Sequence, residues 1–266
     1  MSVRTVARKD LADAGRSKAL WAVTLVVVLF TAGITAMLGM ATDQPVGEVF
    51  RLAFQLVVLT LPIVGLFLAK GAITGERESG SLRVLLSLPP SRRDILLGKF
   101  LGRTALMLVA TLVGGVATGL VVVALLGGGF ELLGPFILSL GLMGTAFVAI
   151  GLGISAVSAS DGRATAFAVA VYLVLVVMWD LIEAGLQAGA AELGLVEAGS
   201  HPAWLQFIGL LPPNQAAIAA YETAVSGGVF ATDPFTSVWL PTLVLLAWLV
   251  VPVGAGYLRL RNADIA

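Results

Sequence analysis

Six stretches of the chain are long, apolar and free of charge in their middles, and only a bilayer accommodates so many such segments. They cover residues 19–40, 50–72, 104–126, 135–157, 164–179 (extending to 181) and 237–258. A helix needs about 20 apolar residues to cross the hydrocarbon core, and a central Arg, Lys or Asp costs roughly 2.5–3.5 kcal/mol or more. Only 12% of the 266 residues are charged, against about 25% in a soluble globular domain, so lipid must face most of the surface. The formal net charge is zero, which leaves no basic field to draw nucleic acid. Without cysteine, and with His201 as the one histidine, thiolate and multi-histidine metal sites are excluded. The expected fold is all-α: a polytopic membrane protein whose residues 1–266 form one transmembrane domain.

The distribution of Lys and Arg orients the spans. An even number of spans puts both termini on one side, and fifteen of the sixteen basic residues then fall there, leaving Arg51 opposite. The expectation is six transmembrane helices with cytoplasmic N- and C-termini. Residues 1–18 carry Val3, Val6, Ala7, Leu11 and Ala14 on one helical face, with Arg4, Arg8 and Lys9 elsewhere. That pattern predicts an amphipathic helix at the cytoplasmic interface. The apolar run that follows is too long for a signal peptide. Between spans five and six, residues 181–236 contain helical pieces too short or too polar to span. Pro212-Pro213-Asn214 starts one of them, and these pieces are expected to re-enter or lie on the outer leaflet, closing the top of the bundle.

The charges cluster in residues 75–99, GERESGSLRVLLSLPPSRRDILLGK, within a cytoplasmic loop spanning 73–103. Leu82, Leu85 and Leu86 repeat at helical spacing, Pro89 and Pro90 end that helix, and Ser91 with Asp94 three residues later forms a capping pattern for the next. A solvated topology signal needs only Lys and Arg; this loop interleaves both signs and has defined starts and stops, which suits docking onto a partner protein.

The loop resembles that between spans two and three of ABC-2-type transporter permeases, which show an acidic-x-acidic-x-Gly-Ser/Thr-Leu run, then Leu-Leu, Pro, Ser-Arg and Gly-Lys. Glu76, Glu78, Gly80, Ser81, Leu82, Leu85, Pro89, Ser91, Arg92, Gly98 and Lys99 match by position. The start VARKDLADAGRSK is similar to the connecting helix of these permeases. The resemblance implies that Glu76, Glu78, Gly80, Leu82, Leu85, Pro89, Ser91, Arg92 and Lys99 couple the chain to a separate cytoplasmic ABC ATPase, and that the chain works as a homodimer in the plasma membrane. Within the family, ARKDLADAGRSK, ILLGKFLGR, WDLIEAGL and WLVVPVGAGYLRLR resemble the permeases of nitrous-oxide-reductase maturation. That implies a role in copper-site assembly and an accessory protein on the outer side.

Catalytic chemistry is missing from the chain itself. Residues 75–80 share the first glycine spacing of a P-loop, but Ser81-Leu82 stands where Lys-Ser/Thr is required; Gly98-Lys99 lacks the preceding glycine. ATP and Mg therefore belong to the partner ATPase, with no cofactor, catalytic residue or metal site expected in this chain. The spans lack the buried acids of proton-coupled carriers. Gln55 in span two and Asp180 at the outer end of span five are the only polar candidates for a pathway, and Ser155, without a titratable partner in sequence, is expected to pack or bond to backbone. Met37 and Met40 fit packing better than a soft-metal site. Export is the expected direction. Export of drugs, lipids or other small molecules, and a non-transporting assembly factor, are the competing readings.

Overall fold

The structure, a computed structural model, describes residues 3, 5, 7, 8, 18–78, 91–197 and 199–261. Each expected crossing is a helix: α1 (Leu20–Ala41), α2 (Val46–Ala69), α4 (Arg92–Leu126), α5 (Phe130–Val157), α6 (Asp161–Val177) and α10 (Trp239–Arg261), with the one-turn α3 (Thr74–Glu78) following α2. Three shorter helices, α7 (Trp179–Glu192), α8 (Ala203–Leu210) and α9 (Pro213–Val225), lie between the last two crossings. No strand occurs among the described residues. Of the expected interface helix, Val3, Thr5, Ala7 and Arg8 are helical; the rest of 1–17 is outside the described residues.

Helix α4 begins at Arg92, as the Ser91–Asp94 pattern predicts, and runs on into the third apolar stretch: Ser91 and Asp94 close a reciprocal capping box in which the Ser91 hydroxyl accepts from the Asp94 amide at 3.2 Å and Asp94 Oδ2 accepts from the Ser91 amide at 3.1 Å. One crossing differs from expectation. The fifth crossing is broken. Its last turn, Leu173–Val177, is a π-helix, after which the chain bends 56° into α7. Five helices are thus individually long and apolar enough to cross a membrane, and six if this bent pair is one span.

Helix α5 is the post around which the others stand, packing against α2, α4, α9 and α10. Helices in lipid gain little from apolarity and associate through close van der Waals packing, which small residues permit. A Cβ at Gly151 would lie 2.7 Å from the Leu66 carbonyl oxygen, and one at Gly65 would lie 2.9 Å from that of Gly144, so α2 and α5 approach backbone to backbone. On the other side a Cβ at Gly153 would lie 2.7 Å from the Pro252 carbonyl oxygen of α10.

The segment before α10 is less superficial than its polarity suggests. Tyr221 of α9 is buried and stacks on Phe54 of α2, with ring centroids 4.5 Å apart, while Phe136 of α5 meets Phe54 edge-on at 5.6 Å. The Trp248 indole donates to the Leu211 carbonyl at 2.7 Å and the Trp179 indole to the Ile208 carbonyl at 3.2 Å. Helix α9 therefore dips into the bundle, and α7 and α8 remain at its surface.

Candidate functional site

The end of the bundle that carries the charged loop is a polar knot joining α2, α3, α5 and α6. Lys70, in the residue after α2, donates from Nζ to Asp161 Oδ2 at 2.7 Å and to the Thr165 hydroxyl at 2.6 Å, both on α6. The next turn passes the end of α5, where the buried Ser155 hydroxyl accepts from the amides of Ile73 at 2.9 Å and Thr74 at 3.1 Å. Ser155 thus bonds to backbone, as its lack of a titratable partner suggested. These amides precede and open α3, so they have no helical partner of their own. Arg77 then donates to the Ser158 carbonyl, and Glu78 Oε1 accepts from the Asp161 amide at 2.8 Å, placing a carboxylate on the first turn of α6.

Glu76 turns the other way. Its Oε1 lies 2.6 Å from Lys99 Nζ, and Lys99 is only 5% exposed within α4. A buried lysine is tolerated when it is paired, and breaking such a pair from one side is far costlier than its net contribution. At the start of α4, Arg92 donates from Nη1 to the carbonyls of Leu260 at 2.6 Å and Arg261 at 3.2 Å, covering the end of α10 where helix carbonyls lack partners.

The sequence-derived coupling residues Glu76, Glu78, Ser91, Arg92 and Lys99 therefore meet at one end of the bundle, each with an intrachain bond. Gly80, Leu82, Leu85 and Pro89 lie outside the described residues. The pathway candidates are elsewhere and are not bonded to each other. Gln55 is exposed on α2, and Asp180, exposed at the start of α7, accepts from Gln215 Nε2 of α9 at 2.7 Å. Arg77 was read only as one of the charges gathered in residues 75–99, and Lys70, Thr74 and Asp161 were not singled out from sequence; the signal at Lys70 and Asp161 was position, a cation closing one apolar run and an acid opening another.

The family comparison agrees with a bundle of apolar crossings: a model described as "ABC-2 family transporter protein" matches residues 4–265. The chain belongs to this family. A relative from Pseudomonas aeruginosa, printed as "Probable ABC transporter permease protein NosY", is 32% identical over 273 residues, covering 96% of this chain and 94% of its own. One of the same name from Stutzerimonas stutzeri is 32% identical over 282 residues, with 98% of each chain covered. The protein is accordingly an ABC-2 permease subunit of an ABC transporter, multi-pass in the plasma membrane, in a family that partners an ABC ATPase.

The bonds tie the helices at this end of the bundle to one another. Through Lys70, Thr74, Arg77 and Glu78 the helix α3 is attached to α5 and α6; through Glu76 it is attached to α4; through Arg92 the start of α4 is attached to α10.

Proposed function

We propose that the loop of residues 75–99 is the element through which a cytoplasmic ABC ATPase drives this permease, and that the permease works as a homodimer in an exporter serving nitrous-oxide-reductase maturation. The observation that carries the coupling reading is the Glu76–Lys99 pair, 2.6 Å long and anchored on a buried lysine. It fixes the start of the loop to α4, so a force on either arm reaches both α2 and α4. ATP and Mg act on the partner subunit, since this chain has no P-loop. The maturation role rests on the motif-level resemblance described above and on the two full-length relatives named NosY. An accessory protein on the outer side completes that reading.

Glu76→Lys separates coupling from an inert anchor. The variant is purified with the ATPase, and complex assembly and ATP turnover are measured in membranes, beside the exchange Glu76→Lys/Lys99→Glu, which restores the pair with its signs reversed. The proposal expects the single variant to lose turnover and the exchange to recover it. Unchanged turnover in the single variant overturns it. For the maturation role, a host that reduces nitrous oxide and lacks its own permease should regain nitrous oxide reductase activity when given this chain with its ATPase; no recovery, with both subunits present in the membrane, removes that assignment.

A further inference from the structure

Helices α4 and α10 do not close fully on each other near the charged end. A groove of about 280 Å³ lies between them, lined on α4 by Arg93, Leu96, Leu97 and Phe100 and on α10 by Val253 and Tyr257 among others. Apart from Arg93 and the Tyr257 hydroxyl the lining is apolar. Arg93 is exposed and makes no hydrogen bond or close ion pair among the described residues, its charge acting only at longer range on the Asp94 carboxylate, unlike its neighbour Arg92 on the α10 carbonyls. The two helices run antiparallel there, so Arg93 and Tyr257 stand together at one end of the groove, while Phe100, Leu249 and Val250 stand at the other.

We propose that this groove is a binding site for one acyl chain of an anionic phospholipid, with the Arg93 guanidinium, assisted by the Tyr257 hydroxyl, on the phosphate. The dimensions agree. On α10 the lining runs from Leu249 to Tyr257 inside the sixth apolar stretch and rises about 12 Å, most of the ~15 Å that one leaflet contributes to the hydrocarbon core. The charge agrees as well. Arginine offers a planar fork of donors that matches phosphate oxygens, and it stands at the end of the groove nearest the basic clusters of the chain, the level at which an anionic headgroup is held. A protein partner would need a carboxylate for Arg93 and a ridge narrow enough for the gap; an acyl chain with its phosphate supplies both features at once.

Two substitutions test the site without touching the coupling residues. Gly254 lines the groove, and a Cβ there meets nothing within 4 Å, so Gly254→Leu fills the groove without a clash. Arg93→Gln keeps the shape and removes the charge. The permease is purified with its ATPase in mild detergent, exchanged against equimolar phosphatidylglycerol and phosphatidylcholine, and its retained lipids are counted by native mass spectrometry. The wild-type chain is expected to retain phosphatidylglycerol about tenfold over phosphatidylcholine, the size of one charge-assisted hydrogen bond. Arg93→Gln should bring that ratio close to one, and Gly254→Leu should lose the retained lipid with an unchanged melting temperature. Equal retention of both lipids by the wild type, or undiminished retention by Gly254→Leu, overturns the proposal. Because the chain has no cysteine, Val250→Cys gives a unique probe; its cross-linking to the ATPase or to a second permease would show a protein in the groove and would overturn it too.

Discussion

Helices α1 and α5 are about equally apolar, yet 22% of the apolar stretch of α1 is buried against 83% of that of α5. In water, apolarity would send both inward. In a bilayer the lipid is as apolar as the protein, so hydropathy decides only that a helix inserts, and residue size decides which helix becomes the centre. Helix α1 presents Trp21, Leu25 and Leu29 outward. Helix α5 places Gly151 against α2, Gly153 against α10 and Gly144 against Met107 of α4, where side chains would push the helices apart.

The contrast can be broken most directly at Gly151. Gly151→Leu in α5 forces a side chain into the Leu66 carbonyl and should cost about 3 kcal/mol or more, read as loss of the folded fraction on size exclusion after graded heating in detergent. A smaller effect is expected at the charged end, where α5's neighbours are tied together. Lys99→Met leaves the Glu76 carboxylate without its buried partner and should cost about 2–3 kcal/mol, the lower side of a buried-pair break because Glu76 is partly exposed; the double variant with Glu76→Gln should regain most of it in SDS-unfolding midpoints. Ser155→Ala removes the acceptor of two buried amides and should cost about 2 kcal/mol. Hydrogen exchange at Ile73 and Thr74 should accelerate with it, while that of α1 stays unchanged. Smallest of all, Gly33→Leu in α1, where a Cβ meets nothing within 4 Å, should shift stability by no more than about 0.5 kcal/mol. A loss there comparable to that at Gly151 would show that α1 is covered and would erase the distinction.

The positions of the crossings were legible in the sequence because the bilayer imposes length, and the start of α4 because Ser91 and Asp94 form a local capping box. Both signals lie within a few residues. What could not be read is non-local. Glu78 reaches the Asp161 amide across 83 positions and Arg92 reaches Leu260 across 168, and no periodicity encodes such pairs. The role of α9 was also hidden. Its modest apolarity suits either an outer-leaflet surface or a bundle interior, and the stacking of Tyr221 on Phe54 decides between them only in three dimensions. The break in the fifth crossing left no proline or glycine at Met178 to announce it. The same locality explains the loop. Its charges were visible, while their partners on α4, α6 and α10 were not.

The bent crossing has a consequence for how the chain traverses the bilayer. The α-helical and π-helical parts of α6 together rise only about 25 Å, short of the ~30 Å hydrocarbon thickness. Measured from Asp161 at its mouth, α6 therefore ends before the far interface, and α7 sets out sideways at lipid depth. Its Leu181 and Leu186 face outward there, while Asp180 is held by Gln215 rather than left to hydrocarbon. At 56° to α6, the 14 residues of α7 still rise about 12 Å along its axis, so the bent pair together exceeds the hydrocarbon thickness. The crossing is finished by a slanted arm that spreads over the flank of the bundle instead of leaving it end-on.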